Sequence, residues 1–224
     1  ATTHLLSCLQ DQHTSVQQTL SYLGTSSSPS SSPSSSSTSF PSLLSALRSA
    51  GFDPDEMSPS GLSLSQPDNL LVRCATAAHS HALLSLGFSS GCWAWEFQLA
   101  EDITNDESIC LGAAVKPLTS SSYNSSPSLW MYRCYNGNLY KRGGQVSGVS
   151  KARIHPQDVV RIELDHEKHT LSYSINNGEK EQGVCFTEVT GEIFPAVAFY
   201  GANRAVRLVG IESVGSGVRA AVRW

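Results

Sequence analysis

Alternation of apolar and polar positions is clearest between residues 158 and 177, DVVRIELDHEKHTLSYSINN. Val160, Ile162 and Leu164 fall on one side of an extended chain, Arg161, Glu163 and Asp165 on the other, and Leu171, Tyr173 and Ile175 repeat the apolar side. A period of two marks half-buried strands, because successive side chains leave a strand on opposite faces. The polar run 165–169 predicts the connection of a hairpin, and Asn176-Asn177-Gly178 predicts a turn that tolerates positive φ. A hairpin with one wet and one dry face needs a second apolar layer over it, so the pattern predicts a β-sandwich.

The rest of the chain is read outward from this hairpin. Short apolar runs separated by Ser, Gly and Asn turns predict strands at 70–75, 81–88, 92–99, 109–115, 129–134 and 137–141, and again at 183–187, 194–200 and 205–209. Together they make 62–212 an all-β, antiparallel sandwich. No helices alternate with the strands, which argues against a covered parallel sheet, and no internal repeat supports a propeller. Ahead of it, Leu5, Leu6, Leu9, Val16, Leu20 and Leu23 suit a short helical segment over 1–24. Residues 25–39 are Ser, Thr and Pro only, which predicts a disordered linker. Within 40–61, Leu43, Leu44 and Leu47 predict a short helix ending near Gly51, and the prolines and glycine of 53–61 predict a loop. Residues 213–224 read as a tail.

Composition narrows the function. Of 224 residues only 15% are charged and the net charge is −4, which argues against a nucleic-acid partner, since phosphate contacts need concentrated Lys and Arg. No apolar stretch reaches the roughly 20 residues that span a bilayer, and no signal-peptide pattern opens the chain, so a cytoplasmic or nuclear protein without membrane contact is expected. The chain opens on Ala and reads as an excerpt from a longer protein, in which it would be a monomeric module. Its six cysteines form no CxxC pair and are expected as reduced, mostly buried thiols.

Candidate chemistry is sparse. No G-x-S-x-G elbow, P-loop or GxGxxG occurs. His166 and His169 share one turn with Asp165 and Glu167, and His79 and His81 share a face, but neither pair offers ligands converging from separate elements, so no metal and no cofactor is expected. Glu96 and Glu163 are strand acids that a lectin-like or glycosidic groove could use, although alternation already predicts them to face solvent. Trp93, Trp95 and Phe97 fall on one face and predict core. Tyr123 stands in a Ser/Asn-rich loop without apolar neighbours, so periodicity does not demand its burial: it is either exposed or folded over the loop's base. Where Val197 and Phe199 share a face, Tyr200 points the other way.

Four pieces in this order resemble a SPRY domain. GCWAWE at 91–96 is similar to the family's G-x-x-x-W-E strand, ICLG at 109–112 to its glycine-bearing strand, 158–177 to its hairpin, and FPAV at 194–197 to its F-P-A-V strand. The chain departs where members often carry Gly-Asp (Gln157-Asp158 here) and Gly (Arg161 here), and it shows no PRY signature. The resemblance implies a concanavalin-like jelly roll and a non-catalytic protein-interaction module, often one that delivers substrates to ubiquitin ligases. In the subgroup coupled to the SOCS box, a short peptide binds loops at one end of the sandwich. Carried onto this sequence, that implies contacts from Tyr123, from Phe199-Tyr200-Gly201, which resembles an apolar-Trp-Gly motif, and from a third loop carrying Arg73, Ala75 and Thr76.

The reading is therefore a binding module for a protein or peptide ligand. A scaffold domain without separable ligand, and a carbohydrate-binding sandwich, are its alternatives.

Overall fold

A computed structural model describes residues 40–58, 61–214 and 220–224; the predicted 1–24 helix and 25–39 linker lie outside these residues. One helix, α1 (Phe40–Arg48), precedes β1 (Phe52–Met57), β2 (Leu62–Leu64), β3 (Leu71–Cys74), β4 (Ser80–Leu84) and β5 (Cys92–Glu101). Then come β6 (Ile109–Ala114), β7 (Leu129–Arg133), β8 (Asn138–Lys141), β9 (Gly144–Ser150), β10 (Val159–Asp165) and β11 (Thr170–Ile175). β12 (Lys180–Thr187), β13 (Phe194–Phe199), β14 (Arg204–Ser213) and β15 (Ala221–Arg223) complete the chain.

The strands form two antiparallel sheets. A seven-stranded sheet runs β1-β4-β13-β6-β7-β8-β9, and an eight-stranded sheet runs β12-β11-β10-β5-β14-β3-β2 with β15 beside β14. The predicted hairpin is β10–β11, in register Val160↔Ile175 to Leu164↔Leu171. Asn176, Asn177 and Gly178 all take positive φ in the turn that follows. On its other edge β10 pairs with β5, Ile162 opposite Trp95.

Inward-facing side chains make the core. Trp95 and Phe97 are fully buried, Phe88 stacks on Trp93 at 4.4 Å and on Trp95 at 6.2 Å, and Phe52 stacks on Phe97 at 6.0 Å. Such offset aromatic pairs add to the area they bury. Leu47 and Ala50 join the same core, which fixes α1 against the sandwich. Gly51 follows where the chain passes Asp68, and an added Cβ would stand 2.7 Å from the Asp68 carbonyl oxygen.

Two expectations are corrected. Residues 53–61, read as a loop because of their prolines, contain β1, which pairs with β4 at the sheet's edge. An edge strand tolerates Pro54, because a missing N–H on the free side breaks no ladder. The 213–224 tail contains β15, which pairs Ile211 with Val222, and Val222 enters the core. Three residues were too short a run to show a period. The five cysteines among the described residues are free thiols, with Cys74, Cys110 and Cys134 buried.

Replacing Trp95 by Ala should cost ~3–5 kcal/mol of folding stability through the cavity it leaves. Val184→Ser, at a side chain 53% exposed, should stay within ~0.5 kcal/mol of wild type; urea unfolding midpoints compare the two.

Candidate interaction surface

Strand register brings a set of connections to one end of the sandwich. Phe199, the last residue of β13, sits opposite Ile109 at the start of β6 and Ser80 at the start of β4. Cys110 pairs with Arg133 at the end of β7, and Arg204 at the start of β14 pairs with Cys74 at the end of β3. Residues 75–79, 102–108, 134–137 and 200–203 are therefore neighbours at this end.

The seven-stranded sheet is dry on both faces at its centre: every residue of β6 and β13 is buried. Leu83, Cys110, Leu129, Met131, Ala196 and Ala198 form a second apolar cluster apart from the inter-sheet core. Residues 115–128, leaving from the far end, fold back over this outer face as a strap. Tyr123 is its anchor. The ring is 6% exposed, meets Tyr140 edge-on at 4.8 Å, and lies 5.1 Å from Tyr200 and 5.6 Å from His79. Burial pushes its phenol up to about 12. Tyr123 thus takes the folded-over position of the two left open, and its reading as an exposed contact residue is corrected: a loop poor in apolar residues has one large ring, and an apolar sheet face takes it.

The strap is also pinned by His81, on the outer side of β4. Its Nδ1 lies 3.0 Å from Ser121 Oγ and 3.2 Å from Ser58 Oγ, while its backbone N–H donates to Ser58 Oγ at 2.8 Å. Burial holds this imidazole below its ordinary value, against the pull of Glu56.

Tyr200 and Arg133 close the cluster. Arg133 Nε donates to the Tyr200 hydroxyl at 3.0 Å, and that hydroxyl donates to the Glu107 carbonyl at 2.6 Å. The guanidinium carbon stands 4.9 Å from the Tyr200 ring centre, 5.5 Å from Tyr135 and 5.9 Å from Tyr123. Tyr135 is 40% exposed, Tyr200 half-buried and His79 exposed. Sequence reading passed over Arg133 and Tyr135 and weighed His79 only as a metal ligand. The signal was present for the first, since Leu129, Met131 and Arg133 share one side of β7 by alternation.

The other carried-over residues fall elsewhere. Phe199 is fully buried in the inter-sheet core beside Val197, so its assignment to the binding surface is corrected; facing opposite to it is what turns Tyr200 outward. Gly201 follows because an added Cβ would stand 2.5 Å from Ser108 Cβ. Arg73, in the other sheet, pairs with Glu101. Ala75 N–H donates to the Gly61 carbonyl at 2.8 Å, and Thr76 packs where a Gly61 side chain would be. From that loop His79 reaches the tyrosines.

Acids at this end are already matched. Glu107, with no exposed side-chain surface, is held by Arg153 and lies 3.3 Å from His155 Nδ1. Burial works to raise its carboxyl, but hydrogen bonds from Arg153 and from the backbone of Glu107 and Asn105, with the Arg153 charge, together outweigh it and the net shift is downward. Asp102 pairs with the buried Arg204, and burial raises it to about 6.

A cavity of about 330 Å³ opens on the outer face of the eight-stranded sheet, lined by Glu96, Arg161, Glu163, Ser172, Glu181 and Arg223 among others. Glu96 accepts from Arg223 Nη1 at 2.8 Å and Nη2 at 3.0 Å, and Arg161 Nε donates to Glu163 at 2.7 Å. A glycosidase acid must hold a proton at neutral pH. Here the oxygens of both acids are already taken by Arg223 and Arg161, so the pair is not free to flank a sugar bond. Among the described residues no group of three or more His, Cys, Asp or Glu could hold a metal ion, and no helix is long and apolar enough to cross a membrane.

Comparison with known proteins bears on this arrangement. The SPRY domain family model matches residues 92–211. E3 ubiquitin-protein ligase TRIM9 of Drosophila melanogaster is 30% identical over 152 residues, which are 66% of this chain and 20% of that protein. This chain thus spans about a fifth of that relative's length. The crystal structure of the SPRY domain of human HERC1 matches with a TM-score of 0.64 at 26% identity, covering 70% of this chain and 96% of that one. The TRIM65 PSpry domain, at 18% identity, shares the fold with a TM-score of 0.53 over 75% of this chain and 96% of its own.

Because its ring is buried, Tyr123→Ala should cost ~3–5 kcal/mol of stability in urea unfolding, where an exposed loop tyrosine would cost almost nothing. His81 gives a pH signature. Its folded form resists protonation while the unfolded chain takes up a proton near the ordinary 6.5, so its contribution is present above that value and is lost as pH falls below it. The stability of wild type minus that of His81→Asn should therefore shrink between neutrality and about pH 5, measured by denaturation at each pH.

Proposed function

We infer that this chain, which belongs to the SPRY domain family, captures an extended peptide or a partner's loop at the end of the sandwich where Tyr135, Tyr200, His79 and Arg133 meet. SPRY domains are non-catalytic interaction folds. The observation that carries the reading is the cluster itself: three tyrosine rings gathered about one guanidinium, with Tyr135 and His79 open to solvent. Tyrosine and arginine supply large contact area at small entropic cost and dominate binding hot spots. Tyr123 supports the others from beneath.

The role proposed within a larger protein is recruitment of a substrate or partner. It is supported by the kinship of this chain to part of an E3 ubiquitin-protein ligase. The rival scaffold reading predicts no separable ligand. The sugar reading is less favoured, because the charged groove on the other sheet has its acids tied to arginines and presents no aromatic platform.

Selection of a random peptide library on the immobilised full chain tests this. Retained peptides should bind in the micromolar range, about −8 kcal/mol. Tyr135→Ala should weaken them by ~1–3 kcal/mol while the unfolding midpoint stays unchanged. Peptides indifferent to Tyr135 and Tyr200, or no peptides at all, would defeat the proposal.

A further inference from the structure

Three arginines reach the end of the sandwich that carries the tyrosines, and they are not equivalent. Arg153 is bonded to the Glu107 carboxylate through Nε and Nη2, and Arg204 to Asp102 and Asp106. Arg133 has no carboxylate. Its Nε is committed to the Tyr200 hydroxyl, and its two Nη groups have no hydrogen-bond acceptor among the described residues. Rings of Tyr123, Tyr135 and Tyr200 stand within 6 Å of the guanidinium carbon, so cation–π attraction holds the group in place. A guanidinium fixed through Nε and by flanking rings still offers the parallel N–H pair that fits a planar, two-oxygen acceptor. The acids nearest in the chain do not compete: Glu107 is sealed under Arg153, and Asp102 and Asp106 face Arg204. The other two arginines thus take all three acids, and Arg133 is the cation left without one.

We propose that Arg133 is the specificity residue of the peptide-capture surface and takes an Asp or Glu side-chain carboxylate of the ligand. The inference rests on the peptide-capture reading above and adds the chemistry of what is captured. One uncommitted guanidinium supplies one fork and one charge. That matches a carboxylate, whereas a phosphate's greater charge calls for a cluster of free cations. Apolar ligand side chains on either side of the acid would lie on Tyr135 and Tyr200.

The test uses the full chain and a random heptapeptide library, selected separately on wild type, Arg133→Met and Arg133→Lys. Wild type should enrich Asp or Glu at one position by about tenfold or more over the input. Arg133→Met should still retain peptides, through the tyrosines, but without that enrichment. Arg133→Lys, which keeps the charge and loses the fork, should retain a reduced preference. A wild-type peptide resynthesised with the acid changed to its amide should bind wild type about tenfold more weakly and bind Arg133→Met unchanged. Urea midpoints of both variants confirm folding, and the lysine variant carries the comparison if methionine fails to fold. Peptides that depend on Tyr135 but show no acidic position would overturn this inference and leave peptide capture standing. A phosphoserine version that binds more tightly than the acid would overturn the carboxylate assignment. An empty selection would remove both proposals.

Discussion

Burying both faces of a sheet's central strands creates a need that strands alone cannot meet. The eight-stranded sheet covers the inner face of β6 and β13, but their outer face, with Cys110, Ala196 and Ala198, would otherwise lie in water. Each such side chain left exposed forfeits about 25 cal/mol per Å² of apolar surface. The chain answers with the strap over residues 115–128, whose ring at Tyr123 fills the gap between Tyr140 and Tyr200. The ring chosen to seal the sheet is also the one that supports Tyr200 and Arg133 from beneath. Stability of the outer face and shape of the binding end are set by the same packing.

Electrostatics at that end follow from burial as well. Glu107 and Asp102 have no exposed side-chain surface, and a buried carboxylate requires a partner. Arg153 and Arg204 meet the requirement and thereby fix residues 102–108 against the strand ends. The outer face of the other sheet does the same with Arg161, Arg223, Glu96, Glu163 and Glu212. A surface whose charges satisfy one another has little left for a ligand, whatever the volume of its groove. By that reasoning the tyrosine-lined end is the better binding surface although an open cavity lies on the other sheet.

Much of this was legible in the sequence, because alternation is a direct projection of the pleat. The β10–β11 hairpin, the row of Trp93, Trp95 and Phe97, and the opposite facing of Phe199 and Tyr200 all came from period two. The strap did not, since nothing local in LTSSSYNSSPS says where its tyrosine goes. A clue lay in the neighbouring strands: ICLGAA and FPAVAF are unbroken apolar runs, and such runs mean burial on both sides. Strands β1 and β15 were hidden for different reasons, one by a proline that only an edge position tolerates, the other by its brevity. Alternation could place Arg133 on the outer side of β7, but its meaning depends on which acids its neighbours have already taken.

Precision at the binding end is inherited from the core through register. Tyr200 follows Phe199 on one strand, and Arg133 follows Tyr132 on another, so each surface residue is adjacent to a fully buried aromatic. A slip of one residue in either strand would turn the aromatic out to water and the binding residue into the interior. Burying Phe199 and Tyr132 therefore disfavours a one-residue slip away from the register that sets Arg133 against Tyr200. The hydroxyl of Tyr200, accepting from Arg133 and donating to the Glu107 carbonyl, ties that pair in turn to the loop held by Arg153. Surface side chains are usually free to explore rotamers at the expense of affinity. Here the guanidinium is oriented before any ligand arrives, by a hydrogen bond whose geometry is set two layers down, between the sheets.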